Sequence, residues 1–282
     1  MNNDFVFENS DFQRVMSEIE KEVNALSDIE QHRVLGSVFT CIDNTTLNGS
    51  DSKESVIAFC RNTLAMNVDH KTVASVCIYP NFVAEVKKQL ADSGIKVAAV
   101  AGGFPAGQIP QRLKIDEVCY VVEEGADEVD FVINRGNFLM GDNQAVFDEV
   151  ATAKEVCGKD VLLKVIIETG EMQTPANIYV ASMLALEAGA DFVKTSTGKI
   201  NVGATPEAAY TMLSAVRDFN KKTKKKVGFK AAGGISSPSE ALLYYIMYKK
   251  ILGKEEINNQ YFRIGASRLT AQLFKILTNE NR

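Results

Sequence analysis

Tryptophan is absent from the 282 residues, and histidine occurs only twice, at His32 and His70. Neither lies near the other polar residues singled out below, so there is little material for a histidine-rich metal centre, and no metal or other cofactor is expected. Cysteine is sparse: Cys41, Cys60, Cys77, Cys119 and Cys157 form an odd set without the close pairing of a zinc ribbon or a redox CxxC. They read as reduced core thiols. Basic residues are outnumbered, 31 Lys and Arg against 36 Asp and Glu, and the formal charge of -5 leaves no global positive field to draw nucleic acid. The densest basic run, KKTKKKVGFK at 221–230, reads as a solvated loop ahead of a strand. Long apolar runs are also missing. No segment suffices to span a bilayer, and the opening MNNDFVFENS lacks the basic start and apolar centre of a signal peptide, so a cytoplasmic chain without a membrane partner is expected.

What is present is alternation. VVEEGADEVDFVI at 121–133 and ALEAGADFVKTS at 185–196 share a helix end, a glycine, Ala-Asp and an apolar burst. Gly125 and Gly189 suit the left-handed position just past a helix, and the runs behind them suit buried parallel strands. Extending the pattern gives strands at 37–42, 73–78, 96–101, 128–133, 161–167, 191–195, 226–230 and 261–264, with helical spacing between them. Eight such units over this length predict an α/β TIM barrel, with an open doubly wound sheet as the rival. The segment 10–26 predicts an amphipathic helix capped by Ser10 or Asp11, covering the barrel or docking on a partner subunit. No low-complexity linker divides the chain, which is read as an N-terminal helical extension, 1–35, and a barrel domain, 36–282.

In such a barrel the chemistry sits where strands end. The polar residues there are few: Asp43 after the first strand, Asp130 in EVDFVI, Lys164 in LLKVII, Glu168 and Thr169 at the end of the fifth strand, Lys194 closing DFVK and Lys230 closing VGFK. A single lysine closing a strand can reach solvent on its flexible stem. Three in apolar strands are harder to dismiss, because lysine is rarely buried without a partner. If the sixth and seventh strands are neighbours, Lys194 and Lys230 share one mouth and each ammonium disfavours the charge on the other. A lysine so depressed is a nucleophile able to form a Schiff base with a carbonyl. Asp130 reads either as a buried carboxylate satisfied by hydrogen bonds or as a proton shuttle.

Two further stretches suggest anion capture. FKAAGGISSPSEA at 229–241 and FRIGASRLTAQLF at 262–274 each run from a strand through small residues into a helix, and they fall after the seventh and eighth strands, where a barrel of this kind commonly holds phosphate.

The motifs DNTTL at 43–47, VCIYP at 76–80, GADEVDFVIN at 125–134, LLKVIIETGE at 162–171, DFVKTSTG at 191–198, VGFKAAGG at 227–234 and RIGASR at 263–268 resemble the deoxyribose-phosphate aldolase family, class I aldolases of TIM-barrel fold. NRGNFLMG, after the fourth strand, departs from the family's pattern. The resemblance implies reversible cleavage of 2-deoxy-D-ribose 5-phosphate to acetaldehyde and D-glyceraldehyde 3-phosphate. It implies Lys194 as the Schiff-base lysine, Lys230 as the lysine that lowers its pKa and Asp130 as the acid–base residue. Asp43 and Lys164 would support the charge network. Gly198, Gly233, Gly234, Gly265 and Ser267 would hold the phosphate, with Arg268 beside them and Cys77 packed near the site. The partners implied are a sugar phosphate and acetaldehyde, with a homodimer as the candidate assembly. Two other readings stay open: a Schiff-base aldolase of the transaldolase type, and a barrel that binds a sugar phosphate without catalysis. The lysine pair with Asp130 speaks against the second.

Overall fold

The computed structural model describes residues 6–253 and 257–278. Helices α1 (Asn9–Ala25) and α2 (Asp28–Phe39) precede the first strand. The chain then alternates: β1 (Ile42–Thr45), α3 (Lys53–Ala65), β2 (Ser75–Ile78), α4 (Val83–Gln89), β3 (Lys96–Ala101), α5 (Gln111–Glu123), β4 (Glu128–Val132) and α6 (Arg135–Leu139). It continues through α7 (Asn143–Cys157), β5 (Leu162–Ile166), α8 (Pro175–Glu187), β6 (Phe192–Lys194), α9 (Pro206–Thr223), β7 (Gly228–Ala232), α10 (Pro238–Leu252), β8 (Phe262–Ala266) and α11 (Arg268–Leu277). Each strand pairs in parallel with the next, and β8 returns to β1 with Ile42 opposite Ile264, so the sheet closes as a barrel in sequence order. The open-sheet rival is excluded by that closure.

Local chemistry explains the elements. Ser52, Thr174, Thr205 and Ser237 each accept a hydrogen bond from an amide of the helix they open, which stabilises such a helix by about 1 kcal/mol. Proline follows three of these caps, at Pro175, Pro206 and Pro238, where its missing N–H costs nothing. Along the strands the side chains alternate. Val129, Phe131, Leu163, Val165, Val193, Phe229, Phe262 and Ile264 join the core between sheet and helices. Their neighbours point into the barrel, which is apolar on one side, at Cys77, Ala98 and Val100, and charged on the other.

The first strand differs from expectation. Residues 37–39 end α2, and the strand starts at Ile42. Leu35, Val38 and Phe39 continue a helical spacing, and all are buried. The true strand, Ile-Asp-Asn-Thr, is polar because Asp43 meets the charge inside the barrel while Asn44 hydrogen-bonds to Thr63 of α3 and Thr270 of α11. Asp43 therefore lies within β1 rather than after it. In the same way Lys230 lies in the middle of β7, not at its end.

Helix α1 forms where amphipathic spacing predicts, but its N-cap is Glu8 without a side-chain cap bond, so neither Ser10 nor Asp11 caps it. It lies on the wall of its own barrel. Glu18 pairs with Lys250 at 2.9 Å and Glu22 with Lys249 at 3.4 Å on α10, and the Phe12 ring stands 5.5 Å from that of Tyr210 on α9. Helix α2, opened by a reciprocal Ser27–Glu30 cap, has no counterpart in the sequence reading. Among the described residues no helix is long and apolar enough to cross a membrane.

Candidate active site

The sheet register sets the site. Lys194 on β6 is the direct partner of Lys230 on β7, and Asp130 on β4 of Lys164 on β5. All four side chains point inward and are buried. Lys194 Nζ and Lys230 Nζ both donate to Asp130 Oδ2 at 2.7 Å, and Lys164 Nζ donates to Asp130 Oδ1 at 2.9 Å. Asp43 Oδ2 accepts from Lys164 at 3.0 Å and pairs with Lys230 at 2.5 Å. Lys194, Lys230, Asp130, Asp43 and Lys164, singled out from sequence, thus form one continuous cluster, whereas Glu168 lies outside it, bonded to Thr197.

Two members of the cluster were not singled out. Arg263 on β8 donates to Asp43 Oδ1 at 2.6 Å and to Glu128 on β4 at 2.7 and 3.1 Å, and Glu128 also pairs with Lys164 at 2.7 Å. Four cationic side chains, Lys164, Lys194, Lys230 and Arg263, therefore meet three carboxylates, Asp43, Glu128 and Asp130. The buried cluster is neutral when one lysine gives up its proton.

Lys194 is the lysine placed to do so. Burial pushes its pKa down; Asp130 pulls it up, the Lys230 ammonium pushes it down again, and the net shift is downward. Burial would also lower Lys230 and Lys164. Asp130 and Asp43 outweigh burial at Lys230, and Asp130, Asp43 and Glu128 outweigh it at Lys164, so both are raised and stay charged. Burial opposes ionisation of Asp130, but Lys164, Lys194 and Lys230 hold its carboxyl well below the usual carboxylate range. The arrangement supplies an amine that gives up its proton more readily than an ordinary lysine, beside a carboxylate and a second ammonium that holds its proton more firmly.

Above the lysines a cavity of about 310 Å³ opens at the C-terminal ends of the strands, lined by Lys194, Gly198, Gly233, Gly234, Gly265 and Ser267, with Arg268 at its edge. Gly265 is small for a reason: a Cβ there would sit 2.9 Å from Ala232 Cβ and 3.1 Å from Lys230 Cε, displacing the lysine. Ser267 opens α11 without using its side chain as a cap, which leaves the positive end of that helix facing the same space. Helix α10 is different. Its Ser236 and Ser237 amides are already spent on Glu240, so on that loop the cavity meets glycines rather than a free helix end. Cys77 Sγ lies 3.8 Å from Asp130 Oδ2; burial and that carboxylate push its thiol up to about 11, so it packs as a thiol.

Comparison with known proteins agrees with this chemistry. A family model described as DeoC/LacD family aldolase matches residues 37–254. Human deoxyribose-phosphate aldolase is 44% identical over 247 residues, 83% of this chain and 77% of that protein. A Caenorhabditis elegans protein provisionally given the same name is 42% identical over 273 residues, 95% of this chain and 89% of that one. Among solved structures, a Toxoplasma gondii protein, also provisionally so named, superposes with a TM-score of 0.79 at 26% identity, covering 89% of this chain and 96% of that one.

The chain belongs to the DeoC/LacD aldolase family. Its matched span begins inside α2 and reaches past α10, so it takes in the whole lysine cluster except Arg263. A signal for the two residues missed from sequence was available in the strand period. Glu128 stands two residues before Asp130, and Arg263 two before Gly265, so each shares an inward face with a residue that was chosen.

Proposed function

We propose that this chain is a class I aldolase that reversibly cleaves 2-deoxy-D-ribose 5-phosphate to acetaldehyde and D-glyceraldehyde 3-phosphate. The observation that carries the reading is the sharing of Asp130 Oδ2 by Lys194 and Lys230, each at 2.7 Å. A binding barrel has no use for a buried amine whose pKa is lowered in this way. The names carried by the human and Caenorhabditis elegans relatives support the substrate.

In cleavage, Lys194 Nζ adds to the C1 aldehyde of the open-chain sugar, and loss of water from the carbinolamine leaves a protonated imine. Deprotonation of the C3 hydroxyl breaks the C2–C3 bond. Its electron pair enters the imine and gives an enamine, while C3 to C5 leave as D-glyceraldehyde 3-phosphate. Protonation at C2 and hydrolysis release acetaldehyde and the free amine. Because the iminium is the electron sink, no metal enters the scheme.

Asp130 is the proton shuttle in this reading. The Lys164 and Lys230 ammonium groups favour its ionised form, and it is placed to take the proton that the Lys194 nitrogen sheds once it has bonded to the carbonyl carbon. Lys230 adds to the lowering of the Lys194 pKa by burial, and Asp43 and Lys164 hold Lys230 and Asp130 in place. Gly198, Gly233, Gly234, Gly265 and Ser267 take the phosphate, supported by their position around one cavity whose floor is Lys194.

The same reading assigns catalysis to the barrel, 36–282, with 1–35 as an extension, and the packing of α1 against α10 supports it. A cytoplasmic location fits the free cysteines. A homodimer is the candidate assembly, and exposed Leu113, Tyr120, Leu139 and Met140 are apolar surface open to it.

The test is borohydride reduction with acetaldehyde, followed by peptide mass mapping. An ethyl adduct confined to the peptide holding Lys194, absent in Lys194→Arg, is the expected result. No adduct on folded protein overturns the lysine nucleophile, and an adduct without cleavage of 2-deoxy-D-ribose 5-phosphate overturns the substrate.

A further inference from the structure

Glu168 is buried at the end of β5, outside the charge cluster, and it does not line the cavity. Its backbone is left-handed at φ +58, a conformation uncommon for a residue with a side chain and one that persists where the surroundings enforce it. Its carboxylate is turned onto one residue of the next loop. Oε1 accepts from the Thr197 amide at 3.1 Å, and Oε2 accepts from the Thr197 hydroxyl. Thr197 Oγ1 in turn accepts from the Lys199 amide at 3.1 Å. The amides on both sides of Gly198 are thereby engaged, and among the described residues the Gly198 amide makes no hydrogen bond. Gly198 is the residue of this turn with a left-handed φ, +75, and it lines the cavity.

Glu168 is itself held. Arg135, at the start of α6, has Nη1 3.6 Å from Glu168 Oε2 and 3.0 Å from the carbonyl oxygen of Pro105, to which it donates, while its Nε pairs with Glu171 at 2.7 Å. One guanidinium thus ties together the loops after β3, β4 and β5, and Glu168 passes that restraint to the loop after β6. A buried carboxylate near an anion site repels the anion, so its presence there calls for another purpose. Here the purpose is geometric, because both oxygens are occupied by Thr197.

We propose that Glu168, anchored by Arg135, is a positioning residue that sets the Thr197–Gly198–Lys199 turn so that the Gly198 amide is presented to the phosphate of the substrate. This rests on the phosphate end of the proposed function, and it adds a residue that never touches the ligand. Its effect belongs to binding of the phosphate rather than to the amine chemistry at Lys194.

The experiment compares Glu168→Ala, Glu168→Gln, Thr197→Val and the Glu168→Ala/Thr197→Val double variant, each checked for folding. Inorganic phosphate affinity is measured by calorimetry, and kinetics are measured on 2-deoxyribose with and without the 5-phosphate. Loss of the fixed turn is expected to weaken phosphate binding about tenfold in Glu168→Ala and in Thr197→Val, with the double variant losing less than the two combined, since both single variants break the bond between the Thr197 hydroxyl and Glu168. KM for the phosphorylated sugar rises in proportion, while kcat and the cleavage of unphosphorylated 2-deoxyribose change far less. If Glu168→Ala does not fold, Glu168→Gln, of equal size but with only one accepting oxygen, is expected to show the same split at a few-fold magnitude. Equal losses on both sugars, or a fall in kcat at unchanged phosphate affinity, overturn the proposal. Phosphate affinity that falls in the variants of a protein that cleaves neither sugar supports the positioning role while removing the substrate reading.

Discussion

Lys194 and Lys230 stand opposite each other on β6 and β7 and donate to the same oxygen, Asp130 Oδ2, at 2.7 Å each. Two ammonium groups on one carboxylate oxygen cannot both be comfortable when buried, and the structure decides between them. Lys230 has a second carboxylate, Asp43, whereas Lys194 has none. The lysine with one anionic partner is the one that opens onto the cavity.

Replacing Lys230 by methionine should therefore disturb Lys194 more than it disturbs the fold. With that cation gone, three cations face three carboxylates, and Lys194 is held protonated by the charge it now balances. Its pKa rises. Since the neutral amine is the nucleophile, the acid limb of the kcat/KM profile should move to higher pH by about one unit or more. A pH–rate profile of Lys230→Met checks this, and an unshifted acid limb would mean that burial alone depresses Lys194.

Arg263 does not itself line the cavity, yet it holds Asp43 and Glu128 at 2.6 and 2.7 Å in the barrel interior. Arg263→Met leaves Glu128 with one ammonium partner and Asp43 short of a cation. We expect a loss of about 3–5 kcal/mol in urea unfolding, the usual cost of uncovering a buried charge. Adding Glu128→Gln removes the stranded carboxylate and should recover part of it, so the double variant should be more stable than Arg263→Met alone. A double variant less stable than the single one would show that Glu128 is satisfied without Arg263.

The acid stability of the protein follows from the same residues. Asp43 and Asp130 have folded pKa values well below 3.8, so each unfolded carboxyl binds a proton before the folded one does. Their contribution is complete above the unfolded value and disappears as pH falls through the folded values. Lys164 and Lys230, raised above 10.5, contribute below that value and lose the contribution as pH rises through their folded values. Lys194, lowered from 10.5, has the opposite sense and gains stability as pH rises from its folded value towards 10.5. Urea midpoints should be nearly level from about pH 5 to 8 and fall steeply below about pH 4. In Asp130→Asn the acid fall should be shallower.

How far the sequence reaches can be judged residue by residue. Closure of eight strands followed from a repeated junction whose glycine, Ala-Asp and apolar burst encode a helix end and a parallel strand, and the strand 96–101 agrees residue for residue. The first strand was misread because burial alone cannot tell the end of an amphipathic helix, Leu35–Val38–Phe39, from a strand. Lys194, Lys230, Asp130, Asp43 and Lys164 stood out because charge in an apolar strand is rare. Glu128 begins β4 and Arg263 is the second residue of β8, near the strand starts rather than the strand ends where chemistry was sought. Glu168 stood out only as a polar residue ending the fifth strand, and its tie to Thr197 escaped for a different reason. Their link joins loops after two strands, across 29 residues, and nothing local in either segment signals the other.

The glycines of the cavity offer a way to separate phosphate binding from amine chemistry. Gly233 has φ +91, and a Cβ placed on it would lie 2.9 Å from Gly203 Cα and 3.3 Å from Ser196 Cβ. Alanine there meets backbone on one side and is strained by its own φ, so the loop after β7 has to shift at a cost of about 1 kcal/mol or more. Lys194 lies on a different strand, and its partners Asp130 and Lys230 do not depend on that loop. Gly233→Ala should therefore keep borohydride trapping of acetaldehyde at Lys194 while raising KM for the phosphorylated sugar about tenfold. Loss of trapping together with the rise in KM would mean that the loop after β7 also sets the geometry of the amine, and the division of the cavity into a reactive floor and a phosphate rim would not hold.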